Sequence, residues 1–378
     1  MAAGAPIRVM HLISTLDVGG AERSLLRLVT SMDRSAFQNR VVSMTRPGTV
    51  GRSLEGAGVP VLSLNMAKGT PELRAIVRLW FMAALMKPDI IQCWMYHAHL
   101  LGLALMKPGR TLWNIRCSDM DLSRYGRVYR LTVKAGALLS RVPCVVVANS
   151  HAGRDVHERL GYRPKEWAVL PNGFDTGTFR PDPAARAQVR EELGIPADAF
   201  VVGLVARLDP MKDHATFFRA ADSFLASCPG AHFVLAGSGV DADNPLMKPL
   251  LPRNHGGRIH LLGERSDIAR VNACLDAATS SSLSEGLPNA VGEAMATGVP
   301  CVVTDVGDSA LLVGDTGIVV PKGDPEALSV GWKRLLDPDL RRTLGDRSRK
   351  RIMDQYSLRT MVDRYEDLYR RVMENPGG

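Results

Sequence analysis

The first residues whose types and spacing suggest chemistry are two glutamates, Glu285 and Glu293, on either side of a glycine-proline turn. The turn Gly286–Pro288 predicts the start of a helix that runs to Thr297. The N–H groups at the start of a helix attract anions, so the backbone over Leu287–Asn289 can hold a phosphate. Glu293 lies about two turns further on, on a similar face at 3.6 residues per turn. One carboxylate can then face a sugar beside the anion while the other reaches a second hydroxylated ring.

A second charged pair, Arg207 and Lys212, follows the apolar run Val201–Ala206, which predicts a buried strand. Ligands of open α/β sheets bind beyond the carboxyl ends of strands, so both cations are expected to project into such a crevice. Fixed cations there can neutralise the negative charge of a phosphorylated ligand, a task that a metal ion performs in other proteins. Two solvated basic residues are the alternative, and their place between a strand and a helix favours the functional interpretation.

Two adjacent glycines, Gly19 and Gly20, lie between the strand-like run Ile7–Ile13 and an amphipathic helix. Glycine permits positive φ and close approach of a ligand to the backbone. The pattern is not G-x-G-x-x-G, so it does not predict a nicotinamide cofactor. Taken alone, the pair is typical of an ordinary tight turn.

Together these segments resemble the motifs of the retaining, nucleotide-sugar-dependent glycosyltransferases of family 4, also called glycosyl transferases group 1. Glu285 and Glu293 match the family's E-x7-E signature, and the resemblance implies that they contact the donor sugar and the ribose. The other positions implied to contact the donor are Arg207 and Lys212, which match an R-x4-K pair, the Gly19–Gly20 loop, and the backbone of Gly286, Leu287, Pro288 (carbonyl only) and Asn289. Arg265 matches the segment that frames the base, with a surface arginine as the equal alternative.

One position departs from the family pattern. Where members place a histidine that contacts the donor sugar, after the strand-like run Thr111–Ile115, this chain has Cys117. A thiol is smaller and a weaker hydrogen-bonding group than an imidazole. His97 and His99 can reach the same place, although we favour a partly buried loop pair without a catalytic role. Cys117 therefore stays among the candidate catalytic residues, with Glu285, Arg207 and Lys212.

Metal-motif patterns in this chain carry little weight. Asp119–Asp121 spells D-x-D, but so do Asp241–Asp243 and Asp337–Asp339, which shows how often the pattern arises by chance. We predict no required metal and no cofactor besides a nucleotide-sugar substrate.

Alternating strand-like and helical segments predict an α/β protein built of doubly wound parallel sheets. The resemblance implies the GT-B fold, in which two Rossmann-like domains face each other across a cleft. We expect an acceptor-side domain over residues 1–170, a nucleotide-sugar domain over 171–356 and a last helix over 357–378 that packs back on the first domain.

The composition is that of a two-domain enzyme of 378 residues with a formal charge of +8. Six scattered cysteines without C-x-x-C indicate reduced thiols and a cytoplasmic protein, and no apolar stretch is long enough to span a bilayer. Eleven cations crowd the first half: Arg74, Arg78, Lys87, Lys107, Arg110, Arg116, Arg124, Arg127, Arg130, Lys134 and Arg141.

The predicted helix Arg124–Ser140 has a basic face opposite an apolar face of Val128, Leu131, Ala135 and Leu138. A basic amphipathic helix can contact an anionic membrane surface at the inner face of the plasma membrane, and a solvated helix is the alternative. Nucleic-acid binding is not predicted, because no recognition module is present.

The sequence therefore predicts a retaining transferase that moves a hexose or N-acetylhexosamine from a nucleotide-diphospho-sugar, with UDP expected rather than GDP. The acceptor is expected to be a glycan or a lipid-linked glycan of a bacterial surface polysaccharide. Two alternatives remain: a catalytically weak sugar-nucleotide-binding partner subunit, motivated by Cys117, and a GT-B-fold sugar-nucleotide epimerase.

Overall fold

The computed structural model describes residues 5–17, 19–67, 72–117, 122, 125–252 and 256–374. The chain divides into two compact units, the first comprising residues up to Gly173 and again from Leu358, and the second Phe174–Ser357. The last helix is therefore part of the first unit.

All thirteen strands found in the described ranges are parallel, and they form one sheet in each unit. The strands are β1 Ile7–Ile13, β2 Phe37–Ser43, β3 Val61–Ser63, β4 Ile90–Trp94, β5 Thr111–Ile115, β6 Val145–Ala148, β7 Trp167–Val169, β8 Val201–Val205, β9 His232–Ala236, β10 Ile259–Leu261, β11 Ala277–Ser280, β12 Cys301–Thr304 and β13 Ile318–Val320. The sheet orders are β3-β2-β1-β4-β5-β6-β7 and β10-β9-β8-β11-β12-β13. Both orders reverse beside the first strand of the unit, which confirms the predicted doubly wound α/β architecture.

Helices connect most successive strands and cover both faces of each sheet, and the last three helices follow β13. They are α1 Gly20–Ser31, α2 Thr49–Gly56, α3 Leu73–Met86, α4 Tyr96–Gly102, α5 Arg127–Leu139, α6 His151–Arg159, α7 Pro183–Glu192, α8 His214–Ser227, α9 Ile268–Ala273, α10 Asn289–Ala296, α11 Ser309–Val313, α12 Pro325–Arg334, α13 Pro338–Gln355 and α14 Leu358–Glu374. No helix in the described part of the chain is long and apolar enough to cross a membrane.

The core of each unit is split by its sheet into two layers, because successive strand residues point to opposite faces. In the first unit α1, α2 and α14 pack on one face and α3, α4 and α5 on the other. In the second unit Val201 of β8 faces α10 and α13, whereas Val202 faces α8 and α12. This layering leaves the carboxyl ends of the strands, and the loops that follow them, along one edge of each sheet.

The predicted separation of α5 into a basic face and an opposite apolar face is wrong, because Arg127 and Lys134 lie on its exposed side together with the leucines. Its inward face is formed by Thr132, Val133 and Gly136, so Leu131 and Leu138 of the predicted apolar face are 65% and 83% exposed. The two faces of this helix are similar enough in hydropathy that periodicity alone does not distinguish them.

Candidate functional site

A short ion pair in the second unit joins two of the predicted site residues. Lys212 Nζ donates to Glu285 Oε1 at 2.5 Å, and Ser282 Oγ donates to the same oxygen at 2.7 Å. Glu285 is 12% exposed and Lys212 24%, so the pair is shielded from bulk water. The structure thus brings together a carboxylate and an ammonium group from segments 73 residues apart.

Backbone contacts hold this pair in place. Lys212 ends the short 3-10 turn Pro210–Lys212 after β8. Ser281 Oγ donates to the carbonyl of Lys212 at 2.8 Å, and the N–H of Leu283 donates to the carbonyl of Met211 at 2.8 Å. The loop after β11 is therefore fastened to the loop after β8, and the geometry at Glu285 does not depend on one flexible side chain.

The loop after β12 also supports Glu285, and its contribution was missed from sequence. Gly307 has φ +57°, and a Cβ placed there would lie 2.1 Å from the carbonyl oxygen of Glu285. The N–H of Asp308 donates to the carbonyl of Gly286 at 2.8 Å. Only glycine combines this left-handed backbone with such a close approach. The signal in the sequence was Asp305–Asp308 at a strand end, which could equally have been read as a helix cap.

Arg207 occupies a different environment from Lys212. Its guanidinium pairs with Asp209 at 2.9 Å, and its side chain is 68% exposed. Partial burial opposes ionisation of Asp209, but hydrogen bonds from the Met211 N–H and from Arg207 outweigh it and lower its pKa. The two predicted cations thus lie on one loop, but only Lys212 contacts Glu285.

Helix α10 begins at Asn289, with Pro288 as its N-cap and no side-chain hydrogen bond at that cap. This agrees with the helix start predicted from the glycine-proline turn. Glu293 lies in the second turn and is half-buried. Gly292, one residue earlier, packs on the ring of Phe174, where a Cβ would lie 2.1 Å from Cζ. Phe174 therefore fixes the inner side of the helix that carries Glu293.

The segment that contains Arg265 is tied to the loop after β9, which sequence reasoning did not single out. The N–H of Gly237 donates to the carbonyl of Gly263 at 2.8 Å, and the N–H of Leu208 donates to the carbonyl of Ser238 at 2.8 Å. The loops that follow β8, β9 and β10 therefore form one hydrogen-bonded series. The motif Gly237-Ser238-Gly239 is the signal that could have revealed it.

Arg265 itself is held by carboxylates. Its Nε and Nη2 donate to Asp267 at 2.8 Å, and its Nη1 donates to Glu192 at 2.8 Å. These hydrogen bonds raise the pKa of Arg265 and lower that of Asp267 to about 2. The geometry favours the surface-arginine alternative, because the donors of the guanidinium are taken up within the protein.

In the first unit the predicted glycine loop precedes α1. Gly19 has an extended backbone at φ −161°, and neither Gly19 nor Gly20 has positive φ, so the positive φ that glycine permits is not used here. A Cβ on Gly19 would lie 2.3 Å from Glu22 Oε2, which is the end of a side chain that can move away. Burial raises the pKa of Glu22, and nearby Asp17 adds to the effect.

Sequence analysis counted Arg116 only among the surface cations. In the structure its side chain links α1 to Asn172 and to the end of β5. Its Nη2 donates to Ser24 Oγ at 2.8 Å and also to Asn172 Oδ1. Its guanidinium carbon lies 5.5 Å from the centre of the Trp94 ring. Burial lowers the pKa of Arg116, and a hydrogen bond with Tyr365 opposes that shift. The residue fixes the first turn of α1 against the end of β5.

Cys117 is half-buried directly after β5. His97 and His99 lie on α4 rather than in the loop that sequence analysis expected. His99 is buried and stacks on Trp113 at 4.7 Å between ring centres, and burial lowers its pKa to about 3. His97 lies against Tyr129, and burial lowers its pKa as well. The buried position of His99 removes it as a candidate for contact with substrate.

The three D-x-D patterns differ in what the structure describes of them. Asp119 and Asp121 lie outside the described residues, and Asp337 instead caps α13 by accepting from the N–H groups of Asp339 and Leu340. Within the described ranges, no group of three His, Cys, Asp or Glu side chains could hold a metal ion.

The second unit therefore presents an ammonium group, a carboxylate and a helix start at the carboxyl edge of a parallel sheet. The dipole at a helix start and a fixed cation both favour a bound phosphate, and a shielded carboxylate can accept hydrogen bonds from sugar hydroxyls. The arrangement is suited to a phosphorylated, hydroxylated ligand.

Two family profiles match the chain. "Glycosyltransferase Family 4" matches residues 18–178, and "Glycosyl transferases group 1" matches residues 199–338. Together they cover most of both units.

Individual relatives extend the match to nearly the whole chain. UDP-Gal:alpha-D-GlcNAc-diphosphoundecaprenol alpha-1,3-galactosyltransferase of Escherichia coli is 29% identical, with 96% of each chain covered. D-inositol 3-phosphate glycosyltransferase of Acidothermus cellulolyticus is 33% identical over 50% of this chain and 45% of its own. The crystal structure of Anabaena Alr3699/HepE in complex with UDP matches with a TM-score of 0.83 at 23% identity, covering 97% of this chain and all of that one.

Fold and site together define the class of GT-B glycosyltransferases. The chain belongs to glycosyltransferase family 4, the glycosyl transferases group 1.

Proposed function

We propose that this protein is a retaining glycosyltransferase that moves a hexose or N-acetylhexosamine, with galactose the first sugar to test, from a UDP-sugar to a lipid-diphosphate-linked glycan. The donor is suggested by the Escherichia coli relative, whose name specifies UDP-Gal, and by the UDP in the Anabaena structure. The same relative motivates an acceptor in which a sugar is joined through diphosphate to a lipid. Such an acceptor is anchored in a bilayer, so the protein would work at the cytoplasmic face of the plasma membrane.

The observation that carries this proposal is the shielded Lys212–Glu285 pair beside the start of α10. A donor diphosphate at the helix start would attract Lys212, and Glu285 would then accept hydrogen bonds from the hydroxyls of the transferred sugar. Arg207 lies on the same loop, and its exposed side chain can turn from Asp209 to the diphosphate at little cost. Glu293, half-buried in the second turn of α10, is assigned to the ribose.

The proposed reaction keeps the configuration of the donor sugar. The bond between the anomeric carbon and the diphosphate oxygen breaks, and a new bond to the acceptor oxygen forms on the same face. The acceptor hydroxyl loses its proton to the departing phosphate oxygen. Lys212, Arg207 and the N–H groups at the start of α10 would stabilise the charge that develops on UDP, an effect worth about 100-fold per donor.

A donor screen tests the proposal. Purified protein is incubated with UDP- and GDP-linked hexoses and N-acetylhexosamines, using N-acetylglucosamine α-linked through diphosphate to a short alkyl chain as acceptor. We expect release of UDP with one donor and an α-linked product by NMR. A β-linked product would overturn the retaining assignment. Binding of UDP without turnover would favour the partner-subunit alternative, and acceptor-independent conversion of the donor into its epimer would favour an epimerase.

The same assay tests metal independence. We expect turnover to persist in excess EDTA, because protein cations and the helix start are proposed to stabilise the leaving group. Loss of turnover with EDTA, restored by Mg²⁺ or Mn²⁺, would contradict this and would return attention to Asp119 and Asp121.

A further inference from the structure

A surface cavity of about 560 Å³ lies at the amino end of the sheet of the second unit. Phe200, directly before β8, and Asp276, directly before β11, both line it. The loops that carry Lys212 and Glu285 follow the opposite ends of these two strands. The five residues of β8 span about 17 Å at about 3.3 Å per residue, so the cavity is separate from the candidate donor site. Its volume is within the range of about 300–1,000 Å³ that is typical of small-molecule sites.

Three arginines share one buried carboxylate at the wall of this cavity. The Oδ2 atom of Asp276 accepts from Arg190 Nη2 and from the N–H of Val201, each at 2.8 Å. Its Oδ1 atom accepts from Arg186 Nη2 at 2.8 Å, whereas Arg341 Nε lies 3.7 Å from Oδ1, beyond hydrogen-bonding distance. Three guanidinium groups and one carboxylate leave this cluster with a net charge of +2.

The three arginines differ in how many of their donors the protein uses. Arg190 is buried, and all three of its side-chain nitrogens donate to backbone carbonyls or to Asp276. Arg186 and Arg341 line the cavity, with side chains 34% and 27% exposed. Nη1 of Arg341 donates to the carbonyl of Leu335 at 2.9 Å. Within the described ranges, Nε and Nη2 of Arg341 have no hydrogen-bond partner, so both are available to a ligand.

The position of Arg341 is fixed before a ligand arrives. Its guanidinium carbon lies 5.5 Å from the centre of the Phe200 ring, and its backbone belongs to the first turn of α13, where its N–H donates to the carbonyl of Asp337. A guanidinium group presents its N–H groups as a planar fork that matches two oxygens of a phosphate. The cavity therefore contains a preorganised donor for an oxyanion.

The size and the remaining lining of the cavity indicate the rest of the ligand. Pro196, Ala197, Leu336 and Pro338 contribute uncharged surface, and the exposed Asp198 lies at the rim. An inorganic phosphate would leave most of the 560 Å³ unfilled. A phosphate monoester carries a charge of about −1.5 to −2 near pH 7, which matches the arginine cluster, and its uncharged body can cover the apolar wall.

We propose that this cavity binds a small organic phosphate monoester, with its phosphate on Arg186 and Arg341 and its uncharged body against Pro196 and Leu336. Sugar phosphates and nucleoside monophosphates share this chemistry. The inference rests on the second unit alone and does not depend on the proposed transfer reaction.

Titration calorimetry of the full-length protein tests the binding. The probes are inorganic phosphate, glucose 1-phosphate, adenosine 5′-monophosphate and, as the uncharged control, glucose. We expect at least one of the two esters to bind at least tenfold more tightly than inorganic phosphate, and glucose not to bind. The affinity for the ester should fall as NaCl is added, because salt screens the arginines. The tighter of the two esters identifies the uncharged body that the cavity accepts.

The first pair of variants tests the arginine that has free donors. Arg341→Gln should weaken binding of the ester at least tenfold, because it removes a charge-assisted contact with the phosphate. The matched control is Arg342→Gln on the same helix, whose side chain is 74% exposed, pairs with Asp339 and does not line the cavity. The control should bind within twofold of wild type.

The second pair of variants leaves the arginine cluster intact and therefore tests the proposal even if Arg341→Gln does not fold. Ala197 and Asp198 are adjacent exposed residues of the lining. Ala197→Glu adds a negative charge there and should weaken binding of the ester severalfold. Asp198→Asn removes one and should strengthen it. Thermal melts of all four variants establish that the changes in affinity do not arise from unfolding.

Three results would overturn the proposal: wild type that binds neither ester, a folded Arg341→Gln that binds as tightly as wild type, or rim variants whose affinities do not change in opposite directions. Inorganic phosphate that binds as tightly as both esters would rule out an organic ligand.

Lys212→Ala distinguishes the cavity from the candidate donor site. Binding of the ester should be unchanged in this variant, whereas binding of UDP should be weaker. Loss of ester binding in Lys212→Ala but not in Arg341→Gln would place the ester at the donor site and contradict the proposal. A wild type that binds the ester but not UDP would contradict the proposed function without affecting the assignment of the cavity.

Discussion

The two units have the same architecture but hold their strand-end residues differently. In the second unit backbone hydrogen bonds connect consecutive loops, as between Leu283 and Met211 or between Asp308 and Gly286. The first unit also has such bonds, as from the N–H of Met66 to the carbonyl of Met44, but side chains distant in sequence add to them. The Tyr365 hydroxyl accepts from Asn114 Nδ2 at 2.8 Å, and Arg116 joins β5 to α1.

The difference shows why the candidate site residues of the second unit are easier to recognise from sequence than those of the first unit. Loops joined through their backbones require particular residues, such as glycine, at fixed spacing, and they leave a motif in the sequence. Side chains from the distant helix α14 can support β5 without any local pattern. The second unit is therefore expected to be sensitive to backbone changes and the first unit to changes in packing.

The largest effect is expected for the two cations of the second unit. Lys212→Ala and Arg207→Ala should each lower kcat by about 100-fold, because each removes a charge that stabilises departing UDP. Their stabilities should differ. Lys212→Ala leaves the shielded Glu285 without its cation and should cost about 1–3 kcal/mol of unfolding free energy, whereas Arg207 is 68% exposed and its loss should leave the melting temperature unchanged.

Steady-state kinetics and thermal melts of both variants, with the exposed Lys322→Ala as control, measure this contrast. Near-wild-type turnover in either variant would contradict the phosphate assignment. An equal loss of stability in both would contradict the structural distinction between the shielded and the exposed cation.

The next largest effect is expected at Gly307. Gly307→Ala and Gly323→Ala both place a side chain at a left-handed position, with φ +57° and +71°, at a cost of about 1–2 kcal/mol. Only at Gly307 does the new Cβ meet the carbonyl of Glu285, whereas nothing lies within 4 Å at Gly323. We expect Gly307→Ala to lower kcat/KM by at least tenfold, because small displacements of positioning groups are costly. Equal kinetics for the two variants would show that the loop after β12 does not position Glu285.

Much of the fold followed from local pattern. The runs Ile7–Ile13 and Thr111–Ile115 are strands with the predicted bounds, because buried parallel strands are continuous apolar segments that stand out between helices. The orientation of α5 was not predictable, because α5 is apolar on its outer face as well. Periodicity identifies the inner face of a helix only when the outer face is polar.

The site was predictable in its residues but not in its contacts. The Lys212–Glu285 pair joins loops whose separation in space depends on strand order, which no local pattern specifies. The pairing of Arg265 with Glu192 depends in the same way on how α7 packs. Gly307 lay in a segment that also fitted a helix cap, and only the structure places it against Glu285.

Acidification should affect the first unit more than the second. Burial lowers the pKa of His99 to about 3 and that of His11 and His157 to about 4 in the first unit, and that of His214 and His232 to about 4 in the second. The unfolded chain binds these protons near pH 6.5, so each histidine removes stability as the pH falls from 6.5 towards 4, by up to about 1.4 kcal/mol per pH unit. Hydrogen exchange at pH 7.0 and 5.5, corrected for intrinsic rates, should show a larger fall in opening free energy for the first unit. Equal falls would contradict the comparison.

The smallest effect is expected for Cys117→His, which restores the residue that the family pattern places after β5. Cys117 is only half-buried, so an imidazole can turn outward without the overpacking that would cost about 1–3 kcal/mol in the core. A neutral imidazole also offers a donor and an acceptor where the thiol offers neither strongly.

We therefore expect Cys117→His to melt within a few degrees of wild type and to turn over at an equal or modestly higher rate. The matched control is Cys144→His, because Cys144 is buried directly before β6 and its thiol donates to the carbonyl of Thr111. This control should lose stability strongly. If Cys117→His is destabilised as much as the control, and the wild-type Cys117 thiol gains no protection from alkylation when UDP-sugar is added, Cys117 is a packing residue. His97, the less buried of the two histidines on α4, would then become the candidate for contact with the donor sugar.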